Sequence, residues 1–145
     1  MSVLDRALEL SDAQSVALSS TATVYSTDVI DMRTGQTDGW GTAISPDMGN
    51  MVLNVEVSTA LVGAGGTLTP ALLTKAADAS LSSGATTLVT LETIAATAAI
   101  GTVRQYKFPV GFTCLRYLGL GYTGGATISA GNVNAWISLD NEVTD

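Results

Sequence analysis

The segment Val103–Asp140 constrains the fold of this chain more than any other part of the sequence. Apolar and polar residues alternate in it, and glycines separate the alternating runs. Because successive side chains of a β-strand point to opposite faces, this period of two predicts strands joined by turns. The part from Tyr117 to Leu139 has no charged residue, but its five glycines and two asparagines are unfavourable in a membrane-spanning helix. We therefore expect no membrane association.

A second alternating segment lies near the middle of the chain. Met51, Leu53, Val55 and Val57 alternate with Val52, Asn54, Glu56 and Ser58, which predicts a strand with one face in the core. Gly63, Gly65 and Gly66 then indicate a hairpin turn. The run Thr67–Lys75 is the expected partner strand, with Pro70 at an edge or bulge.

Two further strands are expected at Thr23–Met32 and Thr86–Ile94. The alanine-rich windows Ala71–Ser80 and Ala95–Ala99 could instead be helical by propensity alone. The neighbouring strand pattern and the threonine content favour strands there as well. The sequence thus predicts an all-β protein of seven or eight short strands, an antiparallel β-sandwich of jelly-roll type.

The 145 residues are the size of one domain. Residues 1–20 mix apolar and polar types without a sustained period, so we interpret them as an N-terminal arm. Residues 21–140 are expected to form the jelly-roll domain. Residues 141–145 contain Glu142 and Asp145 and are expected to be an acidic tail in water, the alternative being an electrostatic contact with a basic partner.

The charge distribution argues against direct binding of nucleic acid. The net charge is -7, and eight of the thirteen acidic residues lie in the first sixty positions, against only Arg6 and Arg33. Cys114 is the single cysteine, so an internal disulfide is impossible, and a small buried hydrophobic role is expected for it. No targeting signal is recognisable at the start of the sequence, which favours assembly in the cytoplasm.

The sequence offers little to catalysis. It contains no histidine, which excludes imidazole-based triads and most catalytic transition-metal sites. Gly119, Gly121 and Gly124 match the spacing of a dinucleotide-binding loop, but a strand rather than a helix is expected to follow them. We therefore expect no enzymatic activity and neither a cofactor nor a metal.

Two tryptophans are difficult to explain as core residues. Trp136 shares a strand face with Asn134 and Ser138, opposite the inward face. Trp40 lies in a glycine-flanked loop near Met48. Both tryptophans could lie under loops of the same domain, but aromatic residues and methionines are also enriched at the centres of protein interfaces.

Several segments occur in the order found in a known family: Ser11–Gln14, Asn54–Val57, Lys75–Ser80, Arg116–Leu118 and Gly131–Asp140. Over nearly its whole length the chain resembles the capsid cement, or decoration, proteins of tailed bacteriophages, the group typified by the Bordetella podophage cement protein. The resemblance implies a jelly roll on the outside of an icosahedral shell, assembled in the host cytoplasm. It also implies that the protein bridges subunits of the major capsid protein, usually as a homodimer.

On this hypothesis the arm contacts the shell through Leu4, Leu8 and Leu10. Trp40, Met48 and Trp136 are the other candidates for capsid or subunit contact. The alternative from another class is a carbohydrate-binding β-sandwich module, in which Trp40 and Trp136 would be the platforms for sugar rings.

Overall fold

A computed structural model of the protein describes residues 8–43, 49, 51–77 and 80–139. Ten strands form two antiparallel sheets, and the described residues contain no α-helix. The strands are β1 (Glu9–Ser15), β2 (Thr23–Tyr25), β3 (Ile30–Asp31), β4 (Met51–Gly63), β5 (Thr67–Lys75), β6 (Thr86–Thr90), β7 (Ile94–Ala95), β8 (Val103–Lys107), β9 (Tyr117–Gly124) and β10 (Ile128–Leu139).

The strand order is that of a jelly roll. The first sheet, sheet A, has the order β1-β10-β4-β8, and the second, sheet B, has the order β2-β9-β5-β6. The short strands β3 and β7 add to sheet B by pairing with β9 and β5. The chain is thus folded back on itself, so that β1 pairs with β10, β2 with β9, β4 with β8 and β5 with β6. The predicted all-β sandwich is confirmed.

The core lies between the two sheets and is made of alternate residues of the long strands. In β4 the fully buried side chains are Leu53, Val55 and Val57, as the alternation predicted. Sheet B faces them with Leu68 and Leu72 of β5 and with Leu118, Leu120 and Tyr122 of β9. Each large apolar side chain removed from water contributes roughly 1.5–3 kcal/mol, so these inward faces supply most of the force that holds the sheets together.

The predicted arm over residues 1–20 is wrong for the residues from Glu9 onwards. Glu9–Ser15 is the edge strand of sheet A, and Leu10 and Val16 are completely buried. Two register shifts interrupt the pairing of β1 with β10, and Ala13 has a φ of 44°. These irregularities remove the period of two from the sequence, so no alternation marks the strand. Residues 1–7 lie outside the described residues.

The predicted strand Thr23–Met32 is divided in the structure into β2 and β3. Between them the Ser26 hydroxyl donates to the carbonyl of Asp28 (2.9 Å) and accepts from the N–H of Leu120 (3.0 Å). At the break between β2 and β3, the N–H of Leu120 thus bonds to the Ser26 side chain, where a regular strand would offer a backbone carbonyl.

The predicted hairpin of β4 with β5 is also wrong. The glycine turn after Gly63 passes from sheet A to sheet B, so the two strands lie in different sheets. β5 is an interior strand, and Pro70 falls between the segments of β5 that pair with β7 and with β6. The missing N–H of the proline is tolerated where the neighbouring edge is interrupted.

A buried polar network ties β1 to the opposite sheet. The Ser11 hydroxyl donates to Gln14 Oε1 (2.7 Å) and lies 2.9 Å from the Tyr122 hydroxyl. Gln14 Nε2 donates to the carbonyl of Tyr25 (2.6 Å). Burial raises the pKa of Tyr122, so this phenol stays protonated and can donate. The network holds the irregular edge strand in place, and its buried polar atoms are hydrogen-bonded to one another or to the backbone.

The glycines of β9 serve packing. A Cβ atom at position 119 would overlap Leu81 Cδ1, and one at position 124 would overlap Leu18 Cδ1. Leu81 is buried in the space that Gly119 leaves open on sheet B, which we call the glycine gap. It therefore holds the turn after β5 against the sheet. Two of the three glycines in the spacing that resembles a dinucleotide loop are thus explained by leucines that pack against the strand.

We expect Leu10→Ala to lower the free energy of unfolding by about 3 kcal/mol, because it leaves a cavity under the edge strand. Chemical denaturation followed by far-UV circular dichroism measures the effect. Asp12→Ala, at an exposed position of the same strand, is the control and should stay within about 0.5 kcal/mol of the wild type. An unchanged midpoint for Leu10→Ala would show that β1 does not contribute to the core.

We expect Gly119→Ala to destabilise the fold by about 1–3 kcal/mol, because the added methyl group displaces Leu81. In a double-mutant cycle with Leu81→Ala, the two losses should be less than additive. Strictly additive losses would show that the two positions are not in contact.

A bidentate ion pair joins Asp31 of β3 to Arg116, the residue that precedes β9. The Arg116 Nε and Nη2 atoms donate to the two carboxylate oxygens of Asp31, each at 3.0 Å. The hydrogen bonds from Arg116 lower the pKa of Asp31. The folded-state pKa is then below the unfolded one, so the stabilisation is present at neutral pH and is lost as the pH falls through the folded-state value.

We therefore expect Asp31→Asn to be less stable than the wild type at pH 7, with a difference that begins to shrink as the pH falls below about 4 and vanishes below the lowered folded-state pKa of Asp31. Denaturation curves across this range test it. Glu92→Gln is the control, because it removes a looser ion pair, in which Glu92 Oε2 lies 3.9 Å from Arg104 Nε. Its stability should differ less from that of the wild type at pH 7. A gap for Asp31→Asn that persists at low pH would exclude the ion pair as its cause.

Candidate interaction surfaces

A self-supporting turn from Thr37 to Ala43 presents Trp40 to solvent. One carboxylate oxygen of Asp38 accepts from the N–H groups of Trp40 (2.8 Å) and Thr42 (2.9 Å). The backbone of Asp38 also donates to the carbonyl of Thr42, and Gly41 supplies a φ of 80°. We call this segment the Trp40 turn. Its shape is maintained by its own hydrogen bonds.

The Trp40 side chain is 93% exposed, so none of the described loops covers it. The backbone of a hydrogen-bonded turn loses little conformational freedom on binding, and the large aromatic side chain that it carries can bury a large apolar area. This is the arrangement typical of a hot-spot residue at an interface. Met48 lies outside the described residues.

Trp136 lies on the outer face of sheet A, as the sequence predicted. The strand register places Glu9, Trp136, Asn54 and Gln105 side by side on β1, β10, β4 and β8. We call this line of four residues the central row. Trp136 is half-buried, whereas Asn54, beside it, is only 2% exposed.

The polar groups near Asn54 are paired within the chain. Asn54 Nδ2 donates to the hydroxyl of Ser138 (3.0 Å), and its Oδ1 accepts from Gln105 Nε2 (2.8 Å). Glu9 differs, because its Oε1 is shielded from solvent and has no hydrogen-bond partner within the described part of the chain. Sequence reasoning missed Glu9, Asn54 and Gln105, since only the register across four strands brings them together.

The remaining predicted contacts are placed differently. Leu10 is buried in the core and cannot reach another protein in this fold. Leu8 is half-buried and packs against the core. Leu4 lies among residues 1–7, outside the described ranges.

A shallow groove crosses the outer face of sheet B, with a volume of about 240 Å³. Gly121 and Ala71 contribute to its lining, with Tyr25 on one side and the turn Leu81–Ala85 on another. Its Thr23 and Thr123 hydroxyls bond to each other at 2.9 Å. The groove is smaller than the roughly 300–1,000 Å³ of typical ligand pockets.

The chemistry of the described residues is correspondingly sparse. They contain no cluster of three or more histidine, cysteine or acidic side chains that could hold a metal ion. Cys114 is partly buried, which raises the pKa of its thiol. In the described part of the chain we find no helix of the length and hydrophobicity needed to cross a membrane.

The topology and these surfaces define a small jelly-roll protein whose distinctive features are an exposed tryptophan turn and the central row on the outer face of sheet A. The Bbp16 family model matches residues 10–137, which is nearly all of the sequence. The chain therefore belongs to the Bbp16 family, a Bordetella phage protein family. No curated protein matches the chain significantly.

Proposed function

We propose that this protein is a capsid cement protein that binds the outer surface of a phage head and bridges neighbouring subunits of the major capsid protein. Membership of a phage protein family and the jelly-roll topology support this role. The observation that carries it is the Trp40 turn, whose hydrogen-bonded backbone presents an aromatic side chain that is almost fully exposed to solvent.

The proposed mechanism is mechanical. A shell filled with packaged DNA is under outward pressure, and its subunits separate first at their seams. A protein that lies across a seam adds contact area to both sides, and its effect is repeated at every equivalent position. Contacts that are weak individually then resist separation together, because binding to one subunit raises the effective concentration at the next.

In this proposal Trp40 inserts into an apolar depression of the shell, and the acidic character of the chain assists docking on basic capsid surface. The net charge of -7 supports the second point. The contact residues predicted in the arm need revision, since Leu10 is part of the core. The described arm residues thus supply an edge strand, and the Trp40 turn takes over the proposed role of anchor.

We expect Trp40→Ala to weaken binding to expanded shells that lack the protein by at least about 30-fold, the effect of losing a hot-spot residue worth roughly 2 kcal/mol or more. Co-sedimentation with the shells measures the bound fraction. Val110→Ala removes an equally accessible apolar side chain, 84% exposed, from a different loop and should bind as the wild type does.

Normal shell occupancy by Trp40→Ala would contradict the assignment of the turn. Binding of the wild type to a neutral oligosaccharide such as cellohexaose, followed by quenching of tryptophan fluorescence, would favour the carbohydrate-binding alternative. Binding to neither shells nor sugars would reject both functions.

A further inference from the structure

We propose that β6 receives an extended segment of the major capsid protein as an added strand, and that a pocket beside β6 holds a large apolar side chain of that segment. This inference rests on the proposed function and adds a second contact to the one made by the Trp40 turn. The occupant is defined by its chemistry, as an extended peptide that carries at least one large apolar side chain.

The edge formed by β6 lacks the features that usually prevent a sheet from pairing with another chain. The other three edges have them: two register shifts interrupt β1, β2 has only three residues, and β8 carries Arg104 and Lys107. The five residues of β6 include neither a charged residue nor a proline, and in the described part of the chain β6 pairs only with β5. Its outer side therefore offers backbone N–H and C=O groups to an added strand.

A bulge in β6 determines where Leu88 points. The register pairs Leu72 with Val89 and Leu73 with Thr87, so Leu88 is the extra residue of the bulge. Leu88 and Val89 are consecutive in sequence, yet both are half-buried and pack against the core. Since a bulge redirects a side chain and interrupts regular pairing, we expect the added strand to be short and the pocket to supply its specificity.

The pocket lies where β5 ends and β6 begins. Its volume is about 300 Å³, twice the roughly 150 Å³ of an apolar cavity that binds benzene, so a large apolar side chain fits. The hydroxyl of Thr74 accepts from the N–H of Leu115 and donates to the carbonyl of Tyr117, both at 2.9 Å, and so is already paired. The lining residues are Thr74, Thr86, Leu88, Thr113, Cys114 and Leu115.

The free edge and the pocket are parts of one site, because Thr86 and Leu88 belong to both. When a strand adds to a sheet, its backbone hydrogen bonds supply affinity and pockets for alternate side chains supply specificity. A strand laid along β6 has every second side chain on the side of the pocket. This combination favours an extended peptide over a folded surface as the occupant.

The site lies at the same end of the sandwich as the Trp40 turn. The register places Asp31, Tyr117 and Lys75 side by side, one residue from the pair of Thr74 with Thr86. The connection that carries the Trp40 turn leaves sheet B there, immediately after Asp31, and the segment that lines the pocket enters it there. One partner at this end can therefore contact both the Trp40 turn and the pocket, which is why we assign both to the capsid protein.

Two neighbouring threonines provide a matched pair of variants. Thr86 and Thr87 are both exposed, but Thr86 lines the pocket, whereas Thr87 lines the groove on the outer face of sheet B. Thr86→Lys should weaken co-sedimentation with expanded shells at least about 10-fold, because an ammonium group loses water in an apolar contact. Thr87→Lys makes the same change of net charge and should bind within about 3-fold of the wild type.

The single cysteine of the chain reports directly on occupancy of the pocket, because Cys114 lines it and is only partly buried. Wild type, free or bound to shells, is treated with methyl methanethiosulfonate at mildly alkaline pH, where more of the thiol is ionised. Mass spectrometry then measures the labelled fraction. Shell-bound protein should react at least about 10-fold more slowly than free protein.

A double variant with Cys114→Ala and Ile100→Cys is the labelling control. Position 100 is exposed and lies in the connection from β7 to β8, at the opposite end of the sandwich. Its thiol should react equally fast in free and in shell-bound protein. Thermal unfolding verifies that each variant is folded, and labelling of the wild type tests the pocket without any substitution in it.

Three results would overturn the inference while leaving the cement function intact: Cys114 of shell-bound wild type reacts as fast as that of free protein, Thr86→Lys binds as the wild type does, or Thr87→Lys loses as much binding as Thr86→Lys. A wild type that does not co-sediment with shells would instead reject the cement function, and this inference with it. The two failures are therefore distinguishable.

Discussion

The fold depends on the burial of one apolar layer between the inward faces of sheets A and B. β4 and β10 run side by side for most of their length and give sheet A its centre, while β9 and β5 give sheet B its centre. The remaining strands are short and extend this base. Because alternate residues of each long strand form the apolar layer, the residues between them point outwards and form the outer surfaces of the sheets.

The edges of the sandwich need interactions of a different kind. β1 is bulged and short, and its attachment to the rest of the molecule combines a buried leucine with the network of Ser11, Gln14 and Tyr122. On sheet B, Leu81 fills the space that Gly119 of β9 leaves open and so holds the turn that follows β5. An irregular edge is thus stabilised by a few specific contacts instead of a continuous ladder, and such an edge is also less prone to pair with other strands.

The central row and the Trp40 turn are carried by different parts of the fold. The central row lies on the strands of sheet A, whereas the Trp40 turn belongs to the connection that follows β3 of sheet B.

The sequence alone determined the strand character of the long segments and the direction of their side chains. The alternation in β4 and β10 correctly assigned Leu53, Val55 and Val57 to the core and Trp136 to the outer face. These assignments were correct because side chains alternate between the two faces of any strand, whichever strand lies beside it. The absence of histidine likewise excludes imidazole chemistry whatever the fold, because no arrangement of strands can supply a missing side chain.

The tertiary structure alone decided which strands are neighbours and what the irregular segments do. Ser11 and Tyr122 are 111 residues apart in sequence, and no local pattern relates them. The bulges of β1 removed the alternation that would have marked it as a strand. The turn after Gly63 connects the two sheets, where a hairpin was expected. The missing side chain of Gly119 leaves the space that Leu81 fills. Register and close packing are relations between distant residues, so the central row and the glycine gap became visible only when the strands were paired.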